Sequence, residues 1–150
     1  TVQALFISGG AGWPMGAVQS VEAIVGIGLK GDRYATGEGS WNQGKPGSRQ
    51  VTLIKAGFFE GTTFKYEDSR RNIVVDIADP MLLVDKDFQI GLAIFHGVKE
   101  CVPCKRPSVL SGNKEDFGVV FKDRGGLIAE VVRGGLIKIG DPIIPPLQGY

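Results

Sequence analysis

Short apolar runs separated by glycine-rich breaks dominate the chain, and their period is closer to two than to 3.6. Residues 2–8, 18–27, 50–54, 72–76, 88–98, 117–121, 127–133 and 136–139 are rich in β-branched or aromatic side chains, which predicts strands. In the last pair, Leu127, Ala129 and Val131 alternate with Ile128, Glu130 and Val132. The Gly134-Gly135 step between them permits positive φ twice and predicts a tight hairpin. Windows of ten or more residues with a helical apolar period are nearly absent, and 55–59 and 107–110 are expected to form a turn or two each. Strands without interleaved helices pair mostly antiparallel, so the expected fold is mainly β: a mostly antiparallel β-barrel with a few short helices.

One stretch breaks the rhythm. Between Gly28 and Gln50 the chain reads GLKGDRYATGEGSWNQGKPGSR, too long and polar for a structural hairpin loop, and long loops of this kind often carry function. No repeat or linker tract divides the sequence, so one domain over 1–150 is expected, with 142–150 as a surface strap. Glycine, at 23 of 150 residues, has about twice its usual share of ~7%, which favours many short strands and turns.

Charge and hydropathy narrow the function. With 17 basic against 16 acidic residues the formal charge is +1, which supplies no field to gather nucleic acid or an anionic membrane. No apolar run approaches the ~18 to 20 residues that cross a bilayer, and TVQALFIS lacks the features of a secretory signal; a cytoplasmic location is expected. There is no phosphate-loop lysine motif, no GxGxxG after a strand and no GxSxG elbow, which leaves nucleotide hydrolysis, dinucleotide oxidoreduction and serine hydrolysis without support.

Cys101-Val-Pro-Cys104 is the first feature that carries chemistry, since a thiolate is both a nucleophile and a soft metal ligand. Three readings stand beside each other: a thiol redox pair, a zinc site completed by carboxylates, and two buried small apolar side chains at a strand end. The thiol pair sits poorly with a strand-rich chain and with Pro107 three residues on; zinc lacks a second ligand pair, because His96 is the only histidine. The neighbourhood shifts the balance toward chemistry. Lys105 and Arg106 directly follow Cys104, and adjacent cations favour the thiolate. Arg33, Arg49, the pair Arg70-Arg71 and Arg124 each stand in or beside glycine-rich or loop-to-strand segments, where guanidinium forks and backbone N–H groups can meet an oxyanion. Singly each arginine reads as a surface charge; together they suggest a cysteine rimmed by an anion-binding site. Asp32 reads as an ion-pair partner that orders the long loop, Asp141 as a turn former, and His96 as a strand side chain.

The ordered set GLKGDRY (28–34), KPGSRQVTLI (45–54), RRNIVV (70–75), IG-A (90–93), CVPC (101–104), RGG (124–126) and GG-I-IGD (134–141) resembles the MOSC family, named after the C-terminal domain of molybdenum cofactor sulfurase, over roughly residues 20–143. The chain looks like a free-standing single-domain member. The resemblance implies a β-rich barrel related to that of pyruvate kinase, and a molybdenum cofactor (molybdopterin) held through a protein cysteine, which falls on Cys104. It implies further that Arg49, Arg70, Arg71, Asn72 and Arg124 lie near the pterin, with Lys105 beside the thiolate as a further cofactor-binding candidate. The family's usual histidine after GDR is Tyr34 here. In functional terms the resemblance implies an oxidoreductase that reduces N-hydroxylated or related small-molecule substrates at a Cys104-ligated molybdenum, with electrons from a separate donor protein and loading by a cofactor sulfurase or delivery machinery. A host that does not make the cofactor would yield the apo protein, and the family as a whole is also associated with pyridoxal phosphate binding. Two alternatives remain: a non-catalytic carrier of cofactor or of persulfide sulfur on Cys104, and a small CxxC thiol redox protein.

Overall fold

The computed structural model describes residues 1–40, 42 and 44–145. Eleven strands are present among them: β1 (Val2–Ile7), β2 (Gly16–Val18), β3 (Ser20–Ile24), β4 (Gly28–Leu29), β5 (Val51–Lys55), β6 (Ile73–Val75), β7 (Asp87–Ile90), β8 (Ala93–Glu100), β9 (Leu127–Arg133), β10 (Gly135–Lys138) and β11 (Ile143–Ile144). Eight form one sheet in the order β11-β7-β8-β9-β5-β6-β1-β2, and β10-β3-β4 form a second. Every pair is antiparallel except β5 with β6. The helices are short, as expected: α1 (Arg33–Thr36), α2 (Arg106–Ser111), α3 (Phe117–Val120) and 3₁₀ turns at Ala56–Phe59, Tyr66–Ser69 and Pro80–Leu83.

The mainly β, mostly antiparallel fold matches the expectation, but the barrel is not closed. β11 and β2 remain as edges, although the backbone bonds Val2 N to Asp141 O (2.8 Å) and Gly140 N to Val2 O (2.9 Å) bring the approach to β11 onto β1. Val2 and Leu5 of β1, Phe88 and Ile90 of β7, Phe95 of β8 and Val21 and Ile137 of the smaller sheet accordingly share one core.

The strands β5 and β6 are buried on both faces, which is why VTLI and IVV are continuous apolar runs rather than alternating ones. Val51, Leu53, Ile73 and Val75 face the main core. Ile54 and Val74 face a second cluster with Phe59, Phe64, Phe117 and Phe121, in which Phe117 stacks on Phe121 at 4.3 Å between centroids. By the two-residue period of a strand, Thr52 and Asn72 share that second face, and the aromatics give way there to buried polar groups.

Four expected elements differ. Residues 117–121 are helical, not a strand: Asp116 caps the turn by accepting from Gly118 N (2.8 Å), and Phe117 and Phe121, four apart, point together into the aromatic cluster. The Gly134-Gly135 hairpin does not form, because β9 is already paired on both sides by β8 and β5; β10 instead crosses to β3. A two-residue turn lies where a single strand 88–98 was expected: Gly91-Leu92 joins β7 to β8, with Gly91 at φ 55°. The expected strand 18–27 likewise divides after Val18, its first part pairing with β1 and its second entering the smaller sheet. Of the expected tail strap, Ile143–Ile144 pairs with β7, and 146–150 lie outside the described residues. Among the described residues no helix is long and apolar enough to cross a membrane.

The RGG segment shows how tightly the layers approach. Gly126 sits at φ 99°, and a Cβ there would collide with the Leu53 carbonyl oxygen of β5. Gly126→Ala is expected to cost at least ~3 kcal/mol, combining backbone strain with a backbone clash that no rotamer relieves. Urea denaturation checks this, and an unchanged midpoint would contradict it.

Candidate functional site

A cavity of about 250 Å³ opens where the segments after β1 and β8 meet those before β5 and β6 and the start of α1. Its lining carries Arg33, Arg49, Arg70, Arg71, Lys99 and Arg106, with both cysteines. Arginines that are separate in sequence thus line one cavity, all of those the sequence marked except Arg124. Cys101 is 2% exposed and Cys104 is exposed, so the two thiols are not equivalent and the reading of two buried side chains holds for Cys101 alone. The motif runs from the end of β8 into α2, with Pro107 in the first turn of that helix, where its missing N–H costs nothing. Among the described residues no three His, Cys, Asp or Glu side chains gather to hold a metal, which leaves the zinc reading without a donor set.

The long loop builds one wall. Asp32 caps α1, accepting from Tyr34 N (3.2 Å) and from Ser8 N (3.0 Å), and pairs with Arg33 at 3.0 Å; both members of the pair are buried. It is the loop-ordering ion pair that the sequence suggested. Arg33 Nη2 also donates to the Tyr34 hydroxyl (3.0 Å) and to Arg70 O (3.1 Å), so Tyr34 acts as an acceptor beneath the cavity. Asn42 bridges the loop to itself by donating to Tyr34 O (3.2 Å) and Arg49 O (3.1 Å); Trp41 and Gln43 lie outside the described residues.

Arg70 and Arg71 diverge sharply. Arg71 is buried and its three donor groups reach carbonyls: Nε to Gly125 O (2.8 Å), Nη1 to Ser69 O (3.1 Å) and Nη2 to Cys101 O (3.2 Å). It is a strut tying the RRN turn to the RGG and CVPC segments, and Gly125 permits this because a Cβ there would collide with Cys101 O. Arg70, at φ 61°, donates Nη1 to Trp13 O (2.8 Å), while its Nη2 is buried without a hydrogen-bond partner. Burial first, and then repulsion from Arg33 and Arg106 partly offset by Tyr34 and Asp32, push its pKa down to about 10, so it remains a cation at neutral pH. Arg49 Nη1 lies 4.0 Å from Cys101 Sγ.

The remaining sequence candidates fall elsewhere. Asn72 is fully buried and holds strands together: its Oδ1 accepts from Thr52 N (3.1 Å) and its Nδ2 donates to Phe6 O (3.1 Å). Arg124 is exposed, donates to Val120 O (2.5 Å) and lies 5.9 Å from the Phe121 ring centroid, outside the cavity lining. Lys105 precedes α2 and also lies outside the lining. His96 pairs with Asp87 across β7 and β8 at 2.7 Å, away from the cavity. Arg33 and Arg106, which the sequence marked in the long loop and beside Cys104, line the site, and so does Lys99, for which nothing along the chain gave a signal.

Arg71→Gln is expected to destabilise the protein by about 2–4 kcal/mol, because buried carbonyls of three segments lose charged donors. A chemical melt that places this variant within about 0.5 kcal/mol of wild type would contradict the strut role.

A family model for the MOSC domain matches residues 48–144, and the chain belongs to the MOSC domain family. The fold is similar to that of the YuaD protein from Bacillus subtilis, with TM-score 0.80 and 17% identity over 98% of this chain and 96% of that one. It is also similar to YiiM from Escherichia coli (TM-score 0.68, 13% identity, 99% of this chain and 71% of that one). YiiM from Geobacillus stearothermophilus gives TM-score 0.68 and 13% identity over 100% of this chain and 77% of that one. No curated protein sequence matches the chain. MOSC domains are associated with the molybdenum cofactor, a group that carries a phosphate and needs fixed cationic donors. The residues present fit it: an exposed thiol, several guanidiniums and an unpartnered buried Nη2 converge on one cavity.

Proposed function

We propose that the protein binds the molybdenum cofactor in this cavity, with Cys104 as the protein ligand to the metal, and reduces N-hydroxylated or related small molecules there. The observation that supports this reading most directly is the position of an exposed Cys104 in the same cavity as Arg49, Arg70 and Arg106. When bound, the cofactor supplies the redox centre at which the N–O bond of the substrate is reduced, using electrons from a separate donor protein.

The chain's own residues hold and orient. Arg71, through Cys101 O, fixes the segment that presents Cys104. Asp32 holds Arg33 in place, and Arg70 offers a donor that no acceptor among the described residues satisfies. Cys101 is buried, with its Sγ 4.0 Å from Arg49 Nη1, and is not exposed as Cys104 is.

Protein from a host that makes the cofactor, supplied with a chemical reductant and an N-hydroxylated base, tests the reading. Turnover that is lost in Cys104→Ser and retained in Cys101→Ser is expected. Equal activity in both variants would overturn the assignment, and bound metal without turnover of any N-hydroxylated base would move the reading to cofactor carriage.

A further inference from the structure

A second, smaller cavity of about 180 Å³ adjoins the first and shares Arg70 and Pro107 with it. Its other walls differ in character. α2 contributes Pro107 and Leu110, three apart and so on one face of the helix, and the segment after β1 contributes Pro14 and Met15. A Cβ built on Gly12 would stand 3.9 Å from Leu110 Cδ2, so these two segments face one another closely. The 3₁₀ turn Tyr66–Ser69 supplies Glu67 and Asp68, and Asp68 is fixed there by accepting from Lys65 N (2.8 Å). Apart from the shared Arg70, no cation lines this space among the described residues, whereas the first cavity is lined mainly by cations.

We propose that this annex receives an apolar, uncharged substituent of the substrate, so that the protein prefers N-hydroxylated compounds carrying a short alkyl chain. The proposal rests on the reductase reading above and adds the polarity and reach of the substrate to it. Charge separates the two spaces. An anionic cofactor belongs with the cations of the first cavity, and Glu67 and Asp68 would repel its phosphate from the second. The annex is thereby left to the molecule that exchanges. Continuity fixes which part of that molecule enters: the boundary at Pro107 lies three residues past Cys104, and from Pro107 to Leu110 α2 advances roughly 5 Å, the span of a short alkyl chain. Leu110 is 42% exposed, and a chain lying along it covers apolar surface that water otherwise wets. An anionic substituent of the same length would meet the two carboxylates instead.

Calorimetry on cofactor-loaded protein without reductant compares benzamidoxime with its 4-butyl and 4-(3-carboxypropyl) derivatives. Wild type is expected to bind the butyl compound at least ~10-fold tighter than the parent, and the carboxypropyl compound within about twofold of the parent. In Leu110→Trp, which fills the annex, the butyl compound is expected to come within about twofold of the parent, with Leu110→Ala between and binding of the parent unchanged in both. Molybdenum per chain is expected to match wild type in both variants, since Leu110 lies outside the lining of the first cavity. Equal binding of the parent and the butyl compound by wild type would overturn the proposal. So would equal gains from the butyl and carboxypropyl groups, because polarity would then play no part. Loss of molybdenum in Leu110→Ala would also overturn it, by assigning the annex to the cofactor. Reductant is added only afterwards, so an absence of turnover for all three compounds would count against the reductase reading while the binding preference still decides the annex.

Discussion

Cys104→Ala is expected to produce a folded protein whose molybdenum content falls at least ~10-fold below wild type when both are expressed in a host that makes the cofactor. Cys101→Ala is expected to keep the metal. The asymmetry stems from burial: Cys104 is exposed at the cavity, while Cys101 is 2% exposed, with its backbone committed to Arg71 and Gly126. Stability should divide in the opposite sense. Alanine at the exposed position changes stability by no more than about 0.5 kcal/mol, whereas alanine at Cys101 leaves a small void beside Arg49 and costs about 1 kcal/mol. Elemental analysis and a thermal melt on the same samples therefore give two readouts that move independently. Equal metal in both variants would overturn the assignment of the ligand. Wild-type protein free of molybdenum, with both thiols titrating, would favour sulfur carriage or thiol redox chemistry on the same motif.

The fold class was legible because strand chemistry is local: β-branched runs such as VTLI and IVV declare themselves wherever they pair. Partnership was not. Gly134-Gly135 has the residues of a tight turn, yet which strand receives β10 depends on β9 being enclosed by β8 and β5, a fact of long-range topology. The segment FGVV misled by composition, since phenylalanine and valine favour strands, while the four-residue spacing of Phe117 and Phe121 and the capping Asp116 pointed to a helical turn. At the site, sequence singled out the cysteine motif and the arginines as a group, and the cavity brings most of them together. It did not sort them. Arg71 and Asn72 look like ligands in RRN, but their donors serve carbonyls of neighbouring segments, and Arg124 turns away to Val120 O. Whether a guanidinium is strut or ligand depends on which acceptors the fold leaves within reach.

Asp32→Ala is expected to cost about 3–5 kcal/mol, as much as breaking a buried ion pair usually does. The carboxylate is fully buried and takes three donors at once, Ser8 N, Tyr34 N and Arg33 Nη1, so its removal opens the α1 cap, the end of β1 and the cavity wall together. The Arg33 charge is the larger part of the loss. It would stay 5% exposed, with Arg70 already repelled by it and no other ion-pair partner among the described residues. For a domain of this size each kcal/mol moves Tm by roughly 2–4 °C, so a drop of about 6–20 °C is expected in a calorimetric scan. Asp32→Asn keeps an acceptor and loses the charge, and should fall between. Asp32→Ala combined with Arg33→Met removes the stranded cation, and the double variant should be more stable than the sum of the single losses requires, by the coupling a double-mutant cycle reads. Strict additivity, or a cost below about 1 kcal/mol for Asp32→Ala, would show that the GDR segment is held by its backbone bonds alone.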